Sequence, residues 1–323
     1  MVFQFVWRYL KNSLMYKQLT DYTSKGIPFL FYTDFKGEKV HCIKLESLKK
    51  EDIEYSFKTP LIHQNTPLKK TPETLQAYQK KFDYVINKIK SGETYLLNLT
   101  QKTPIETDLT LKEIFSRAHA SFKLRVKDEF VCFSPESFIH IENNIISTFP
   151  MKGTINAALP NAKDTILNNT KELAEHVMVV DLLRNDLSIV AKKIKVEKFR
   201  YINKIKAGNK ELLQVSSHIS GTLPSNWKEN FGDILKNLLP AGSISGTPKK
   251  STVHIIESIE GFSRDYFCGV FGVFDGASIQ SGVMIRFIEN EDGNLYYKSG
   301  GGITLDSDLG SEYQEFIDKI YIP

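Results

Sequence analysis

Three short β-rich runs, separated only by the turn-like segments SPE and ENN, place the strongest constraint on the fold of this chain. The runs are EFVCF (129–133), SFIHI (137–141) and IISTF (145–149). Connections this short join antiparallel neighbours, because parallel strands need a crossover of a dozen or more residues. Further strands are predicted in FCGVFGVF, SGVMIRFI and NLYYKSG.

Helical patterns separate these strands at irregular intervals. One helix is predicted to begin with Thr71 as its N-cap and Pro72 in its first turn, and to end at Gly92. Its apolar face would hold Leu75, Tyr78, Phe82, Val85, Ile86 and Ile89. Other helices are predicted over LTLKEIFSRAHASF, over roughly 163–187 and roughly 227–239, and from near Ser307, with Tyr313, Phe316, Ile317 and Ile320 facing inward. This order predicts the α+β class with large antiparallel sheets, not a series of βαβ units.

The polar stretch HQNTPLKKTP (63–72) is the best candidate for a boundary within the chain. Residues 1–70 are mixed in character and include short strand-like segments such as IPFLFYT. We therefore predict an N-terminal region, 1–70, packed on a catalytic domain, 71–323.

The bulk composition argues against several classes of function. The net charge is only +4, and no segment combines clustered basic residues with aromatic ones, so nucleic-acid binding is not expected. No apolar run approaches the ~20 residues needed to cross a bilayer, and the N-terminus lacks the features of a secretory signal. Three widely spaced cysteines, Cys42, Cys132 and Cys268, form no zinc motif and fit a reducing, cytoplasmic location.

Two neighbouring motifs bring an acid and an amine together. Glu136, in SPESF, precedes a predicted strand, and Lys152, in FPMKGT, follows the next one. Lys152 has a proline and a glycine close by, so no regular helix or strand is expected to continue there. Because a hairpin brings its far ends together, the two side chains should face each other, as acid and nucleophile. Taken alone, Glu136 fits an exposed turn equally well.

Carboxylates in two predicted helices have two possible roles. In the helix that contains KELAEHVMVVDLLRND, the residues with the spacing of a buried face are Leu173, Val177, Val180 and Leu187, whereas Glu172, Glu175 and Asp186 project elsewhere. In SEYQEFIDK, the face opposite the apolar residues holds Glu312, Glu315 and Lys319. These carboxylates fit an ordinary solvated surface. Alternatively, Glu175 and Glu315 would bind Mg²⁺, which usually takes one or two protein carboxylates.

Two glycine-rich segments and an arginine have the chemistry to bind anions. PAGSISGTPKK contains Gly242 and Ser243, SGGGITLDSD contains glycines 300–302, and neither has the spacing of a Walker A loop. Glycine N–H groups can converge on a carboxylate, although plain turns explain both segments equally well. Arg286, predicted on a strand among apolar residues, needs a partner, and a carboxylate is the natural one.

Together these motifs resemble those of the chorismate-utilising enzymes. The likeness runs from about residue 75 to the C-terminus, through IKSGETYLLNLTQ, SPESF, PMKGT, ELAEHVMVVDLLRND, PAGSISGTPK, IRF, GGGI and EYQEFIDK, in the family's order. The resemblance implies one large domain of two packed, mostly antiparallel sheets flanked by helices. It also implies chorismate as the substrate and Mg²⁺ as the cofactor.

Lys152 distinguishes branches of that family. Anthranilate synthases and isochorismate-type enzymes typically have alanine at this position, whereas aminodeoxychorismate synthases have lysine. The resemblance implies that Lys152 attacks C2 of chorismate while Glu136 protonates the departing C4 hydroxyl. Ammonia would then add at C4 to give 4-amino-4-deoxychorismate, a precursor in para-aminobenzoate and folate synthesis. To attack, Lys152 must be neutral, so we expect its pKa to be lowered.

The same resemblance implies roles for the remaining residues and a partner protein. Glu175 and Glu315 would hold Mg²⁺. The substrate would be contacted by Gly153, Thr154, Gly242, Ser243, Arg286, Gly300, Gly301, Gly302 and Lys319. Gln214 and Val273 depart from the histidine and tyrosine that many members have there. A glutamine amidotransferase subunit (component II) should supply ammonia. This chain shows no GxCxG-type cysteine nucleophile of the kind that releases ammonia from glutamine.

Two other functions fit the same residues. Anthranilate synthase component I would place nitrogen at C2 and eliminate pyruvate. A catalytically silent chorismate-binding subunit would bind chorismate without turnover, although the set of acid, lysine and paired carboxylates argues against it.

Overall fold

The structure, a computed structural model, describes residues 2–57, 68–207 and 210–323. The helices in these residues are α1 (Val2–Ser24), α2 (Leu75–Lys90), α3 (Leu111–Arg117), α4 (Ala162–Asn168), α5 (Thr170–Val190), α6 (Phe231–Leu238), α7 (Lys249–Ile259) and α8 (Leu309–Asp318). The first nine strands are β1 (Phe29–Thr33), β2 (Val40–Lys44), β3 (Ile53–Phe57), β4 (Lys69–Lys70), β5 (Leu96–Glu106), β6 (Phe122–Val126), β7 (Phe130–Ser134), β8 (Ser137–Glu142) and β9 (Ile145–Thr148). The others are β10 (Met151–Asn156), β11 (Lys192–Ala207), β12 (Lys210–Thr222), β13 (Gly246–Thr247), β14 (Val270–Phe274), β15 (Ile279–Val283), β16 (Phe287–Glu291) and β17 (Asn294–Ile303).

The strands form two sheets, and every pairing in the described part of the chain is antiparallel. The first, nine-stranded sheet has the order β10-β12-β9-β8-β15-β14-β1-β2, with β11 added on β12. The second, eight-stranded sheet has the order β13-β5-β17-β16-β7-β6-β3, with β4 added on β5. This architecture confirms the predicted α+β fold with two antiparallel sheets flanked by helices.

Apolar residues from both sheets meet in one core. Phe57 of the second sheet lies 5.8 Å from Phe271 of the first and 5.4 Å from Phe122, measured between ring centroids. At Gly282, on β15, an added Cβ would lie only 2.7 Å from Cγ of Phe122. The close approach of the two sheets therefore requires glycine at this position.

A second apolar cluster fixes α8, the helix that carries Glu315 and Lys319. Phe316 and Ile320 are buried there with Ile114 of α3 and Tyr297 of β17. The Phe316 ring also stacks on Tyr78 of α2, with 6.0 Å between centroids. The predicted inward face is therefore confirmed, since Tyr313 and Ile317 also pack against this cluster, and it sets which side of the helix faces the candidate site.

Helix α2 begins later than predicted. Thr74, not Thr71, is its N-cap, and the Thr74 hydroxyl accepts a hydrogen bond from the N–H of Ala77. Thr71 instead donates its backbone N–H to the carbonyl of Pro104. Because the helix starts at Leu75, that side chain lies at the exposed first turn, whereas Tyr78, Phe82, Val85 and Ile89 are buried as predicted.

The predicted helix over roughly 163–187 is two helices, which meet at Asn169. The Asn169 side chain accepts a hydrogen bond from the N–H of Glu172 and so caps α5. The predicted buried face of this helix is wrong at its start, since Leu173 and Val177 are 37% and 43% exposed. Glu175 and His176 are buried in their place, because the first turns of α5 face β10 and β12 rather than an apolar core.

The N-terminal strands belong to both sheets. Strand β1 pairs with β14 in the first sheet, and β3 pairs with β6 in the second. Part of the boundary stretch, residues 63–67, lies outside the described residues, and the division at residue 70 stays a prediction. Among the helices of the described ranges, none has the length and apolarity required to cross a membrane.

The buried ion pair Glu260–Arg264 generates a prediction about stability. Both side chains are almost completely inaccessible, and Arg264 also donates to the carbonyl of Ile244 at 2.8 Å. Replacing Glu260 with alanine should lower the free energy of unfolding by about 3–5 kcal/mol, because it leaves an uncompensated buried charge. Glu106→Ala, which breaks an exposed pair with Lys69, should cost no more than about 1 kcal/mol. Urea denaturation measures both, and equal losses would contradict the prediction.

Candidate active site

Two chain crossings between the sheets lie side by side. Residues 135–136 lead from β7 in the second sheet to β8 in the first, and residues 284–286 lead from β15 back to β16. The N–H of Val283 donates to the carbonyl of Glu136, and the N–H of Phe133 donates to the carbonyl of Arg286, each at 3.1 Å. These bonds hold Glu136 and Arg286 at the edge of the same cavity.

That cavity has a volume of about 250 Å³ and gathers most of the predicted site residues. Those that line it are Glu136, Lys152, Gly153, Thr154, Ser243, Arg286, Gly300, Gly301, Gly302, Glu315 and Lys319. Glu175 and Gly242 are not part of the lining. Gln214 lines the cavity, whereas Val273 is buried in the core on β14.

Lys152 lies on a strand, contrary to the expectation that no regular strand would continue there. It belongs to β10, whose register against β12 shifts between Met151 and Thr154. Gly153, inside that irregularity, has φ of +83°, a conformation that favours glycine. Bulges of this kind re-aim side chains beside active sites, which explains how a strand residue points into the cavity.

Glu175 contacts Lys152 directly. The Lys152 Nζ donates to Oε2 of Glu175 at 3.2 Å, from β10 to α5. Burial by itself lowers the pKa of Lys152, but the charges of Glu175, Glu315 and Glu172 outweigh it and raise the pKa above its ordinary value. The expected lowering is therefore wrong for this state of the protein, because the nearby carboxylates outweigh the effect of burial.

The surroundings of Glu136 favour the protonated form of its carboxyl group. Burial raises the pKa of its carboxyl group, although a hydrogen bond from Ser243 and the charges of Lys152 and Lys319 oppose the shift. The hairpin of β8 and β9, paired from His140–Ser147 to Glu142–Ile145, brings Glu136 and Lys152 to the same end, as predicted.

Lys319 forms a second basic group in the cavity. Its Nζ donates to the carbonyl of Gly300 at 2.8 Å and lies 2.6 Å from Oε1 of Glu315. Burial, aided by the charges of Arg286 and Lys152, lowers the pKa of Lys319 despite the attraction of Glu315. The cavity therefore holds two lysines whose pKa values are shifted in opposite directions.

The three glycines form part of a strand, not the predicted loop. Gly300, Gly301 and Gly302 lie on β17 and pair with Thr100, Leu99 and Asn98 of β5. A Cβ at Gly302 would lie 3.3 Å from the Nζ of Lys152, and one at Gly301 would lie 3.7 Å from the Nζ of Lys319. Their lack of side chains leaves space beside both amines, which the sequence motif alone did not explain.

Arg286 lies between strands, not on one as predicted. Its φ of +53° is rare for a residue with a side chain and marks the point where the chain changes sheet. Within the described residues no ion pair is found for its guanidinium group, which lies over the ring of Tyr321 at 5.0 Å from the centroid. Arg286 is half-buried, and its guanidinium N–H groups are available to a ligand carboxylate.

Gly242 does not line the cavity but packs against Asp186 of α5. A Cβ there would lie 2.6 Å from Oδ2 of Asp186, and Asp186 forms an ion pair with Lys249 at 2.8 Å. The backbone of Gly242 also bonds the Asp186 carboxylate, so α5 fixes the segment that carries Ser243. The sequence indicated Asp186 only as a residue that projects away from the core.

Ser217 is a connecting residue that sequence reasoning missed. Its N–H donates to the carbonyl of Pro150, just before β10, and its Oγ lies 2.7 Å from Nε2 of His176 on α5. The Oγ also accepts the N–H of Arg200 at 3.0 Å. Ser217 thus links the strand of Lys152 to the helix of Glu175. Its role depends on the pairing of β12 with β10, which the sequence alone does not reveal.

The carboxylates near Lys152 fit the ligand set of Mg²⁺. Glu175 on α5 and Glu315 on α8 both act on this amine, so two helices supply carboxylate oxygens to one region. Mg²⁺ usually takes one or two protein carboxylates and completes its shell with water and substrate oxygens. In the residues that the structure describes, no cluster of three or more potential metal ligands is found.

Comparison with known proteins gives matches over most of the chain. Residues 13–322 match the family model of chorismate binding enzymes. A PabA-like protein of Haemophilus influenzae is 46% identical over 313 residues, which cover 95% of each chain. Aminodeoxychorismate synthase component 1 of Salmonella typhimurium is 33% identical over 262 residues, covering 75% of this chain but only 56% of that protein. The menaquinone-specific isochorismate synthase MenF of Escherichia coli has the same fold, with a TM-score of 0.70, 14% identity, and coverage of 93% and 79%.

His176, next to Glu175, generates a prediction about pH. Burial, with the charges of Arg200 and Lys152, lowers the pKa of His176 to about 4. The unfolded chain then binds a proton that the folded protein excludes, so the free energy of unfolding should fall by about 3 kcal/mol between pH 6.5 and 4. His176→Gln should lose this contribution, as urea titrations at several pH values will measure. His254→Gln, at an exposed side chain, should keep the wild-type slope; a slope also unchanged in His176→Gln would refute the assignment.

Proposed function

Because this chain belongs to the chorismate-binding enzymes, we propose that it is an aminodeoxychorismate synthase component 1. It would convert chorismate and ammonia into 4-amino-4-deoxychorismate and water. The observation that carries the proposal is the amine of Lys152, which shares a cavity with Glu136, an acid with a raised pKa, and with Arg286. An alanine in place of this lysine would remove the amine that lies beside Glu175 and would leave Lys319 as the remaining lysine of the lining.

The proposed reaction has two displacement steps. In the first, Lys152 Nζ bonds to C2, both conjugated ring double bonds shift and the C4–O bond breaks, and Glu136 gives its proton to the departing hydroxyl, which leaves as water. In the second, ammonia bonds to C4 while the bond between C2 and Lys152 breaks. The Glu136 carboxylate then takes the proton that the new nitrogen releases. Two easier steps thus replace one difficult displacement.

Lys152 must lose its proton before it can attack. In the structure the nearby carboxylates favour the charged amine, whereas burial opposes it. Glu175 and Glu315 would hold the Mg²⁺, whose positive charge would offset the negative charge that raises the pKa of Lys152. Burial would then dominate and favour the neutral amine.

Substrate carboxylates have two basic partners in the cavity. Arg286 has no ion pair within the described part of the chain, and the planar guanidinium can bind a carboxylate with two parallel hydrogen bonds. Lys319, anchored by Gly300, adds a second cationic group when protonated. The side-chain-free backbone of glycines 300–302 lets a ring approach both residues.

Ammonia would come from a glutamine amidotransferase subunit. Glutamine hydrolysis of that type needs a reactive cysteine thiolate, and burial raises the pKa of the thiols of Cys42, Cys132 and Cys268. These cysteines therefore lack the properties of a glutaminase nucleophile. The chain spans little more than half the length of the aminodeoxychorismate synthases it matches, and a cytoplasmic location stays a prediction.

Product identification tests the proposal. The protein is incubated with chorismate, ammonium and Mg²⁺, with and without a glutaminase partner, and the products are separated and identified. The proposal expects 4-amino-4-deoxychorismate. Fluorescent anthranilate without an added lyase would identify an anthranilate synthase instead, and calorimetric binding without any turnover would identify a silent chorismate-binding subunit.

Lys152→Met should lower the rate of amination at C4 by at least about a thousandfold, because it removes the proposed nucleophile. Lys250→Met, at an exposed lysine on α7, should leave the rate unchanged. With chorismate alone, intact-mass spectrometry should detect the wild-type chain plus chorismate less one water, located on Lys152. An undiminished rate in Lys152→Met, or an adduct on another residue, would rule out this mechanism.

Removal of Mg²⁺ with a chelator should stop amination, and added Mg²⁺ should restore it. Glu175→Gln and Glu315→Gln should each raise the Mg²⁺ concentration required by at least about tenfold, because each removes a charged oxygen ligand. Calorimetric titration with Mg²⁺ provides a readout independent of turnover. Asp181→Asn, an exposed position on the same helix as Glu175, serves as the control. Unchanged Mg²⁺ affinity in both glutamate variants would exclude them as ligands.

A further inference from the structure

A tyrosine near the C-terminus lies at the outer edge of the cavity. Arg286, Glu315 and Lys319 line both the cavity and a shallow groove beside it, and Tyr321 lines only the groove. The Tyr321 ring faces the guanidinium of Arg286, with 5.0 Å between its centroid and the arginine Cζ. This distance is within the range of a cation–π contact.

The backbone around Tyr321 is firmly held. Its neighbours Ile320 and Ile322 are buried in the cluster beneath α8, at 2% and 4% exposure. Its carbonyl accepts a hydrogen bond from the hydroxyl of the buried Tyr297 at 3.0 Å, and the carbonyl of Pro323 accepts the N–H of His119 at 2.8 Å. The ring is therefore presented from a fixed position, although it is 41% exposed itself.

The guanidinium needs such support. It lies close enough to Lys319 for the two positive charges to repel, and in the described ranges it has no carboxylate partner that would offset the repulsion. An aromatic face attracts a guanidinium without consuming the N–H groups at its edge. Stacking on Tyr321 thus restricts the arginine to one orientation and leaves its fork of donors available.

We propose that Tyr321 is a positioning residue for Arg286, and that the stacked ring sets how tightly the cavity binds a carboxylate of the substrate. The inference rests on the proposed role of Arg286 in substrate binding and extends it to a residue outside the cavity. Tyr321 lines the groove and not the cavity, so it should affect binding of chorismate far more than the rate of its conversion.

The test compares chorismate binding, measured by calorimetry, with kcat. Tyr321→Ala should weaken binding about threefold to thirtyfold, the range of a partly desolvated cation–π contact, with kcat within about twofold of wild type. Tyr321→Phe keeps the ring face and should bind as wild type. Tyr321→Leu keeps apolar bulk without the ring and should resemble Tyr321→Ala. Tyr296→Ala, which removes a similar contact with Lys102 outside the cavity, should bind as wild type.

A double-variant comparison separates positioning from general destabilisation. When Arg286 is already alanine, Tyr321→Ala should weaken binding no further, since its partner is absent. This inference would be overturned if the losses of binding free energy in the two single variants added in the double variant. It would also be overturned if Tyr321→Ala bound chorismate as wild type while Arg286→Ala bound it poorly. Either result would leave the proposed function intact. Unchanged binding in Arg286→Ala would overturn this inference together with the proposed role of Arg286, whereas product identification decides the proposed function.

Discussion

The candidate site depends on two backbone hydrogen bonds that join the two chain crossings between the sheets. Most residues of a two-sheet protein face either the shared core or one outer surface. Where the chain leaves one sheet for the other, a side chain can border elements of both sheets at the rim of that core. Glu136 and Arg286 occupy two such crossings, and their carbonyls accept the N–H groups of Val283 and Phe133. Strand β10 from the first sheet and β17 from the second then complete the cavity.

The electrostatics of the cavity follow from which charged groups reach each lysine. Lys152 is surrounded by Glu175, Glu315 and Glu172, and its pKa rises despite burial. Burial lowers the pKa of Lys319, the charges of Arg286 and Lys152 add to that effect, and the attraction of Glu315 does not outweigh them. Similar burial thus has opposite results for two identical side chains. Whatever occupies the cavity will redistribute these charges, and so ligand binding and protonation are coupled there.

The sequence predicted features that depend on short-range geometry. The two-residue turn between β8 and β9 was enough to place Glu136 opposite Lys152, and apolar spacing identified the buried Phe316 and Ile320. Features that depend on distant pairing were missed. No local pattern reveals that glycines 300–302 pair with β5, or that an apolar run containing Arg286 divides between two sheets. Leu173 and Val177 are exposed because α5 packs polar residues against β10 and β12, which spacing cannot indicate.

The ion pair between Lys152 and Glu175 has a consequence for the protein at rest. A protonated amine has no lone pair and does not react with the aldehydes and other electrophiles that modify neutral lysines. A lysine that is reactive at all times would be lost to such chemistry over the life of the protein. On the proposed mechanism, these carboxylates would keep Lys152 protonated between turnovers, and its reactivity would be confined to the interval in which the cavity is occupied.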